Sequence, residues 1–437
     1  MARPRKNAAR AQNSLLTPDE VVEIPVEEQP YPLPEGWKWA YWGSCGDFIA
    51  GNAFKPDFQG KKGLLYPFYK VGSLKFSDNK GYLYDIEHSI SEETQKSIKS
   101  SIIPEHSIIF AKIGEAIRLN RRSINEKKCC IDNNLMAFVP QKTTYKYVYY
   151  WSLGIDLYKY TNATTVPAIR KTDLEKIVFP LPPLDEQQRI VDRIESFFAK
   201  LDDAKAKAEA VLDGFEIRKA AILHKAFTGE LTKKWRTEQR IGMESWNVKR
   251  LIEISHFIKA GGDKPDDFQD DSDEKHSIPV VANGIDHDGI IGYTSWTKNY
   301  KDALTVAGRG TIGFPCWRNY NFFPVVRLIV IHPNTSIIIG KFLYYLFLAF
   351  PEKGTGSTIP QLTVPMVKTK EVPLCTLPEQ QEIVRILDNL LAKEQQAKEV
   401  AENVLSQIDL MKKAILARAF RGELGTHGSA RNSSQNN

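Results

Sequence analysis

The sequence has few cysteines and lacks the cysteine spacings that bind metal or form a disulfide framework. The five cysteines are odd in number and scattered along the chain: Cys45, Cys129, Cys130, Cys316 and Cys375. No C-x-x-C pair occurs, and no histidine stands near them at ligand spacing. Free cysteine is usually buried, so these residues are interpreted as reduced packing residues. No metal site is expected in the chain.

Long apolar runs are also absent. The longest run, Phe342 to Phe350, has nine residues, whereas a membrane-spanning helix needs about 20. The start of the chain, MARPRKNAAR, is basic but is not followed by the apolar segment of a secretory signal. These two absences predict a cytoplasmic protein that does not enter a membrane.

Strong catalytic motifs are missing as well. We find no Walker A string and no Asn/Asp-Pro-Pro-aromatic motif of the kind expected in an adenine methyltransferase. The string Gly308–Gly313 satisfies G-x-G-x-x-G. A dinucleotide site also needs an acidic residue about 20 positions after this motif, and no such residue lies near Leu328. Pro265-Asp266 with Asp273-Glu274-Lys275 resembles a metal-dependent nuclease signature, but it lies in a polar, acidic segment typical of a solvated loop. No catalytic residue is predicted.

Neither sign of charge dominates the composition. The 437 residues are 42% hydrophobic and 26% charged, with a formal net charge of +6 and a pI near 8.8. These values are typical of globular proteins and favour polyanionic partners only slightly. The length is sufficient for roughly three domains.

An internal repeat is the clearest feature that the sequence does contain. LPPLDEQQRIV begins at Leu181 and LCTLPEQQEIV begins at Leu374. Aligned without a gap from these two leucines, 24 of 51 positions are identical. The alignment extends upstream to Thr165-Val166-Pro167 over Thr358-Ile359-Pro360, and the sequences preceding each copy diverge. The chain is therefore interpreted as a tandem duplication.

Each repeated segment is predicted to be a long helix with a coiled-coil seam, because apolar residues recur in steps of four and three. Its C-terminal glycine, Gly229 or Gly422, suits a left-handed helix end. Asp185 with Gln188, and Thr376 with Glu379, have capping-box spacing. Only Glu394 interrupts the seam. The predicted seam residues are Ile190, Ile194, Phe197, Leu201, Ala204, Ala208, Val211 and Phe215, and Ile383, Leu387, Leu390, Ala397, Ala401, Val404 and Ile408.

Such a helix, of roughly 40 residues and about 60 Å, needs a partner. The obvious partner is the other copy in antiparallel orientation. The alternative, in which each helix packs only on its own globular module, stays open at this point.

The divergent region that precedes each helix, Trp37 to Pro180 and Trp246 to Pro373, contains short β-like runs broken by glycine, proline and asparagine, which predict a mixed α/β module. The segment Lys112 to Lys128 carries six basic residues against two acidic ones. Arginine has donor forks suited to guanine edges and phosphates, although a solvated surface charge is an equally good explanation for any one arginine. The candidate DNA-binding residues are Lys112, Arg118, Arg121, Arg122, Ser73, Asn283, Arg309, Arg318 and Arg327.

These motifs resemble one known family. The chain has two variable regions, each of which opens on a tryptophan motif (LPEGW, MESW) and ends in T-[VI]-P. Each continues into L-x-x-L-x-E-Q-Q-x-I-V and a helix that closes on A-F-x-G-E-L. This arrangement is similar to the specificity subunit of a type I restriction-modification system. The resemblance runs from Trp37 to Leu424. It implies an α+β fold with two similar target recognition domains, joined by two long antiparallel helices in a pseudo-twofold tandem repeat.

The resemblance also implies a function and partners. Each recognition domain would bind one half of a split site in double-stranded DNA, and the helices would carry two modification subunits that methylate adenine. Restriction subunits would join this assembly. S-adenosylmethionine, ATP and Mg²⁺ would then act in the partner subunits and not in this chain, which would be a non-catalytic DNA-recognition subunit.

The predicted organisation follows from the repeat and the resemblance. A self-sufficient methyltransferase or nuclease and a protein-binding scaffold are the rival hypotheses. The segments are a basic, Pro/Glu-rich disordered tail (1–34), a first recognition domain (35–180), a first spacer helix (181–232), a linker (233–245), a second recognition domain (246–373), a second spacer helix (374–425) and a disordered tail (426–437).

Overall fold

Two compact units make up the fold. A computed structural model describes residues 21, 24–85, 87–162, 166–297, 300–352, 354 and 360–425. The first unit contains residues 1–206 and 404–437, and the second contains residues 207–403. The C-terminal tail and most of the predicted N-terminal tail lie outside the described residues.

The first half of the chain contains nine strands and four helices within the described residues. The strands are β1 (Lys38–Tyr41), β2 (Gly46–Ala50), β3 (Tyr66–Tyr69), β4 (Ser89–Ile90), β5 (Ile108–Ala111), β6 (Arg122–Ile124), β7 (Cys130–Ile131), β8 (Leu135–Pro140) and β9 (Val178–Leu181). The helices are α1 (Glu92–Ile98), α2 (Tyr145–Leu153), α3 (Lys171–Leu174) and the long α4 (Leu184–Phe227).

The second half has a matching series. Its strands are β10 (Asn247–Arg250), β11 (Ser255–Ala260), β12 (Ile278–Val281), β13 (Ile290–Thr294), β14 (Ala303–Val306), β15 (Pro315–Arg318), β16 (Phe323–Pro324), β17 (Ile329–Pro333) and β18 (Glu371–Leu374). Its helices are α5 (Lys233–Gln239), α6 (Gly340–Ala349), α7 (Val364–Lys368) and the long α8 (Leu377–Ala419).

The two units share one sheet topology. The first has a four-stranded antiparallel sheet in the order β2-β8-β5-β6, and the second has the order β11-β17-β14-β15. Each also has a three-stranded sheet with one parallel pair, β4-β3-β7 and β13-β12-β16, and a two-stranded sheet, β1-β9 and β10-β18. The duplication predicted from the helices therefore includes the variable regions, although their sequences have diverged.

The two long helices are antiparallel within each unit. In the first unit, Asp202 of α4 pairs with Lys412 of α8 at 2.6 Å, and Leu416 and Phe420 join a core that contains Ile194. In the second unit, Phe215 of α4 lies under Lys398 of α8, and Arg218 of α4 pairs with Glu394 of α8 at 2.8 Å. The predicted antiparallel pairing is confirmed, and each helix contributes a segment to both units.

The predicted seam residues differ in burial. Ile190, Ile194, Ala208 and Phe215 are buried on α4, and Ile383, Leu387, Ala401 and Ile408 are buried on α8. The residues Phe197, Leu201, Ala204, Val211, Leu390 and Val404 are half-buried.

Ala397 is an exception because it is exposed and Lys398 faces Phe215 instead. The polar Glu394 that interrupts the pattern accepts a hydrogen bond from Arg218, whose other end donates to the carbonyl of Val211 across Gly214. A Cβ at Gly214 would lie 2.3 Å from the guanidinium, so glycine makes room for this side chain.

The repeated E-Q-Q motif attaches the start of each long helix to its own variable region. Gln187 is fully buried; its Nε2 donates to the carbonyl of Pro182, and its Oε1 accepts from Thr143 Oγ1 and from Thr144 N. All its polar atoms are thus used where water is excluded. The equivalent Gln380 makes the same kind of contacts with Ile337, Ile339 and Cys375.

A charged clamp strengthens the same attachment. Lys146 Nζ on α2 lies 2.8 Å from Glu195 Oε1 on α4, and Tyr150 donates its hydroxyl hydrogen to the same oxygen. The second unit has the same arrangement with Lys341, Tyr345 and Asp388. These pairs explain the weak sequence similarity between KYVYYWSL and KFLYYLFL.

The end of each long helix packs on the other variable region. Phe227 at the end of α4 packs edge-on against Phe342 in the second unit, and Phe420 at the end of α8 packs against Tyr147 in the first. Gly229 and Gly422 adopt left-handed φ values of +79° and +77°, as predicted. The alternative in which each helix packs only on its own module is therefore wrong.

The residues predicted as a linker form part of the second unit. Helix α5 occupies residues 233–239, and its Arg236 Nη1 lies 2.6 Å from Glu379 Oε1, with both side chains buried. The same carboxylate accepts from Thr232 Oγ1 and Trp246 Nε1. Both oxygens of Glu379 are thus occupied, and the predicted capping role of this residue is wrong.

Part of the predicted N-terminal tail is packed. Ile24 is 2% exposed, and its N–H donates to the carbonyl of Trp39. Tyr31 packs edge-on against Trp39 and donates its hydroxyl hydrogen to the carbonyl of Phe420. Residues 24–34 therefore belong to the first unit, because apolar and aromatic side chains in this Pro/Glu-rich stretch find partners far along the chain.

Candidate nucleic-acid interface

A cleft in the second variable region brings together two of the predicted arginines. It has a volume of about 370 Å³ and lies where β11 and β14 end and where β17 begins. Arg309 and Arg327 line it and are both exposed. Its polar lining also includes Gln361, whose Oε1 accepts a hydrogen bond from Arg309 Nη2 at 3.2 Å.

Asn283 holds the backbone of this cleft in place. Its Oδ1 accepts from Gly308 N at 2.8 Å, and its Nδ2 donates to the carbonyl of Val326 at 2.7 Å. Both ends of the amide are used by the protein itself. Asn283, predicted as a base contact, is thus bonded to the loops that carry Arg309 and Arg327.

The first variable region has the same backbone arrangement with different side chains. The N–H of Ile169 donates to the carbonyl of Lys112, just as the N–H of Leu362 donates to that of Gly308. Two residues further on, Gly114 and Gly310 both have left-handed φ values, +83° and +68°. The position of Arg309 is thus occupied by Ile113 in the first region.

The structure divides the basic residues of Lys112 to Lys128 into two groups. Arg118 and Arg121 are exposed and Lys112 is half-buried, so their charged ends are available to a polyanion. Arg118 also lies over the ring of Tyr158, with its guanidinium carbon 3.6 Å from the ring centre. Arg118 Nε also lies 2.7 Å from Glu115 Oε2, so this arginine is oriented by the ring and paired with an acid.

Arg122 is 5% exposed and belongs to the interior. Its guanidinium donates to the carbonyls of Arg121 and Ile155 and to Asn120 Oδ1, and burial lowers its pKa. It is not placed to contact DNA, contrary to the prediction. The physical reason is its position in strand β6, where the side chain points into the module.

Two further predicted contacts are structural. Arg318 is 2% exposed and donates to Thr305 Oγ1, to Tyr320 Oη and to the carbonyl of Asp288. Ser73 is 3% exposed, and its hydroxyl accepts from Lys70 N within a 3₁₀ turn. The burial of Arg318 could not be predicted, because a buried arginine and an exposed one look alike in a sequence when the strand register is unknown.

Comparison with protein families decides the identity of the fold. The model of the type I restriction modification DNA specificity domain matches residues 34–212 and again residues 243–403. This chain belongs to that family. The type I specificity family is thus present in two tandem copies, as the sheet topologies also indicate.

Relatives of this specificity subunit have low sequence identity to it but align over much of its length. A type I specificity subunit of Mycoplasma pneumoniae is 28% identical over 229 residues, which is 52% of this chain and 59% of that protein. The EcoKI specificity subunit of Escherichia coli K12 is 22% identical over 92% of both chains. The crystal structure of the HsdS subunit from Thermoanaerobacter tengcongensis has a TM-score of 0.63 at 18% identity, and covers 91% of this chain and 99% of that one.

The family and the local structure account for the two strings that resemble catalytic motifs. Gly308–Gly313 is a turn followed by strand β15, not by the helix that a dinucleotide site needs. In the acidic segment, Asp273 accepts hydrogen bonds from Lys275 N and His276 N, and Asp267 accepts from Ser295. The relatives that match this chain are themselves named as type I specificity subunits.

No helix in the described part of this specificity subunit is long and apolar enough to cross a membrane.

Proposed function

We propose that this specificity subunit recognises a split site in double-stranded DNA, with one variable region for each half-site. One observation carries this proposal: the two regions share one sheet topology but differ in side chains, such as the half-buried Ile113 and the exposed Arg309 at equivalent backbone positions. A shared scaffold with different side chains suits two different targets. Phosphate contacts from residues such as Arg118 and Arg121 position each domain, and a few polar side chains select bases.

The long helices are proposed to carry two modification subunits. In the first unit, α4 and α8 form a groove of about 450 Å³ whose lining includes Phe197, Leu201, Met411 and Ile415. Met411 is 47% exposed and its neighbour Leu410 is 57% exposed. An apolar groove between helices suits an amphipathic helix of a partner protein.

The catalytic chemistry is assigned to those partners. The modification subunits hold S-adenosylmethionine and methylate an adenine in each half-site, which must leave the base stack for the reaction. Restriction subunits supply ATP-dependent activity with Mg²⁺. This chain selects the site in the cytoplasm and needs no cofactor of its own.

Mapping methylated adenines in the host genome tests the proposal. We compare the host with a strain that lacks this gene and with the same strain complemented by the intact gene. We expect one two-part motif with an unspecified gap to lose methylation and to regain it on complementation. Retention of every split adenine motif in the deletion strain would refute the proposed function.

A domain exchange tests the assignment of one region to each half-site. Replacing Trp37–Pro180 with the corresponding region of a relative should change one half of the methylated motif and leave the other half unchanged. A change in both halves would show that the regions do not act separately.

A further inference from the structure

The turn at Val326 and Arg327 is held in an unfavourable conformation. Both residues have left-handed φ values, +52° and +58°, and a β-branched residue such as valine rarely adopts this conformation. Val326 is 48% exposed, so burial of its side chain does not compensate. Strained backbone of this kind is concentrated at functional sites.

Several hydrogen bonds maintain the strained turn. Val326 N donates to the carbonyl of Gly262 at 2.8 Å, Arg327 N donates to that of Gly261 at 3.2 Å, and Leu328 N closes the turn on Val325. Asn283 adds the bond to the carbonyl of Val326. Gly261 cannot carry a side chain here, because a Cβ would lie 2.6 Å from the backbone of Pro324.

The two turns bring a pair of arginines to one cleft. Arg327 projects from the strained turn, and Arg309 projects from the neighbouring turn with its guanidinium hydrogen-bonded to Gln361. Neither arginine has a salt bridge to an acid among the described residues. Two unneutralised guanidinium groups on one cleft suit acceptor pairs, and guanine presents such a pair, O6 and N7, in the major groove.

We propose that Arg309 and Arg327 determine specificity for guanine in the half-site of the second variable region, with Gln361 as a positioning residue for Arg309. This inference rests on the proposed function, since it assumes that the region contacts DNA. The first region has Ile113 and Ala168 at the positions of Arg309 and Gln361, since Ile169 N donates to the carbonyl of Lys112 as Leu362 N donates to that of Gly308. It therefore lacks Arg309 and its positioning glutamine, and we expect its half-site to differ in sequence.

The experiment replaces these arginines in the full-length gene and maps methylated adenines in the complemented deletion strain. The variants are Arg309→Ala, Arg327→Ala, Arg309→Lys and Gln361→Ala. We expect each alanine variant of an arginine to accept other bases at one guanine position of one half-site, at least tenfold more often than the intact gene does. Arg309→Lys should relax the same position as Arg309→Ala, because lysine keeps the charge but lacks the planar fork.

Controls separate this inference from folding and from the proposed function. Arg250→Ala alters an exposed arginine of the same unit that pairs with Glu253, and its motif should be unchanged. Unaltered recognition of the other half-site shows that a variant is folded and assembled. Gln361→Ala should relax the position of Arg309 and leave that of Arg327 unchanged.

Two outcomes would overturn the inference while the proposed function stands. One is a motif that keeps all its guanines in both alanine variants. The other is a uniform loss of methylation across all sites that Arg309→Lys restores, which is expected of phosphate contacts. Failure of the proposed function is distinct, because the split motif would then persist in the deletion strain itself.

Discussion

At the scale of single residues, neighbouring side chains of one type have opposite environments. Arg121 is exposed, whereas Arg122 is buried and hydrogen-bonded to backbone carbonyls. Arg309 and Arg318 differ in the same way. Basic composition alone therefore overestimates the number of residues available to DNA.

The adjacent arginines provide a direct test. Arg121→Ala should weaken DNA binding by the assembled complex and reduce the slope of log affinity against log salt by about 1, since one phosphate contact is lost. Arg122→Ala should instead lower the thermal stability of the chain, because it removes three hydrogen bonds from the interior. Binding titrations at several salt concentrations and thermal melts distinguish the two, and equal effects on both quantities would contradict this assignment.

The buried pair of Arg236 and Glu379 is a second residue-scale feature. Glu379→Gln should reduce the free energy of unfolding by about 3 kcal/mol, because a buried guanidinium loses its counter-charge. Urea unfolding followed by tryptophan fluorescence measures this, as Trp246 contacts the same carboxylate. Glu382→Gln is the matched control, since its arginine partner is 68% exposed, and it should cost about 1 kcal/mol or less.

At the scale of elements, each long helix is attached at both ends by residues of the repeated motifs. The E-Q-Q glutamines fix the start, and the phenylalanine of A-F-x-G-E-L fixes the end. The predicted capping box of Thr376 and Glu379 does not attach the second helix, because Glu379 binds Arg236 instead. The repetition of these motifs thus reflects a repeated attachment.

Two adjacent glutamines test this attachment. Gln187→Leu should reduce the free energy of unfolding by about 2–4 kcal/mol, because Pro182, Thr143 and Thr144 lose a buried partner. Gln188→Leu should have little effect, since Gln188 is exposed and contacts only its helix neighbour Asp192 in the described contacts. Chemical denaturation of both variants gives the comparison, and a similar loss in each would argue against the docking role.

At the scale of the whole molecule, both long helices pass from one unit to the other. The boundary falls after Ala206 in α4 and after Asn403 in α8. If the helices set the unread gap, which is the stretch of unspecified bases between the two half-sites, the helix length and the gap length should change together.

A matched insertion tests this relation. Four residues added after Ala206 and four after Asn403 lengthen both helices by about 6 Å, so we expect the unread gap to increase by one or two base pairs with both half-sites unchanged. Sequencing of methylated adenines in the host measures the gap. An unchanged gap in an active double-insertion variant would disprove the spacer role. Insertion into one helix alone should impair assembly, because the Asp202–Lys412 and Arg218–Glu394 pairs could not both keep their register.

From sequence alone, the duplication, the two long helices and the mixed α/β class were predictable, and antiparallel pairing of the helices was the favoured of two alternatives. These features depend on apolar periodicity and on repeated letters, which are local properties of the chain. The sequence also located the exposed residues Arg309 and Arg327 without distinguishing them from Arg318.

The three-dimensional fold was needed to show which polar side chains are buried and which residues attach each long helix. Arg236 and its partner Glu379 are 143 residues apart in the chain, and Tyr31 and its partner Phe420 are 389 residues apart. Strand register sends Arg122 inward, and the packing of Lys398 on Phe215 displaces Ala397 from the seam. Such contacts depend on how distant segments meet in space, and no local pattern in the chain encodes them.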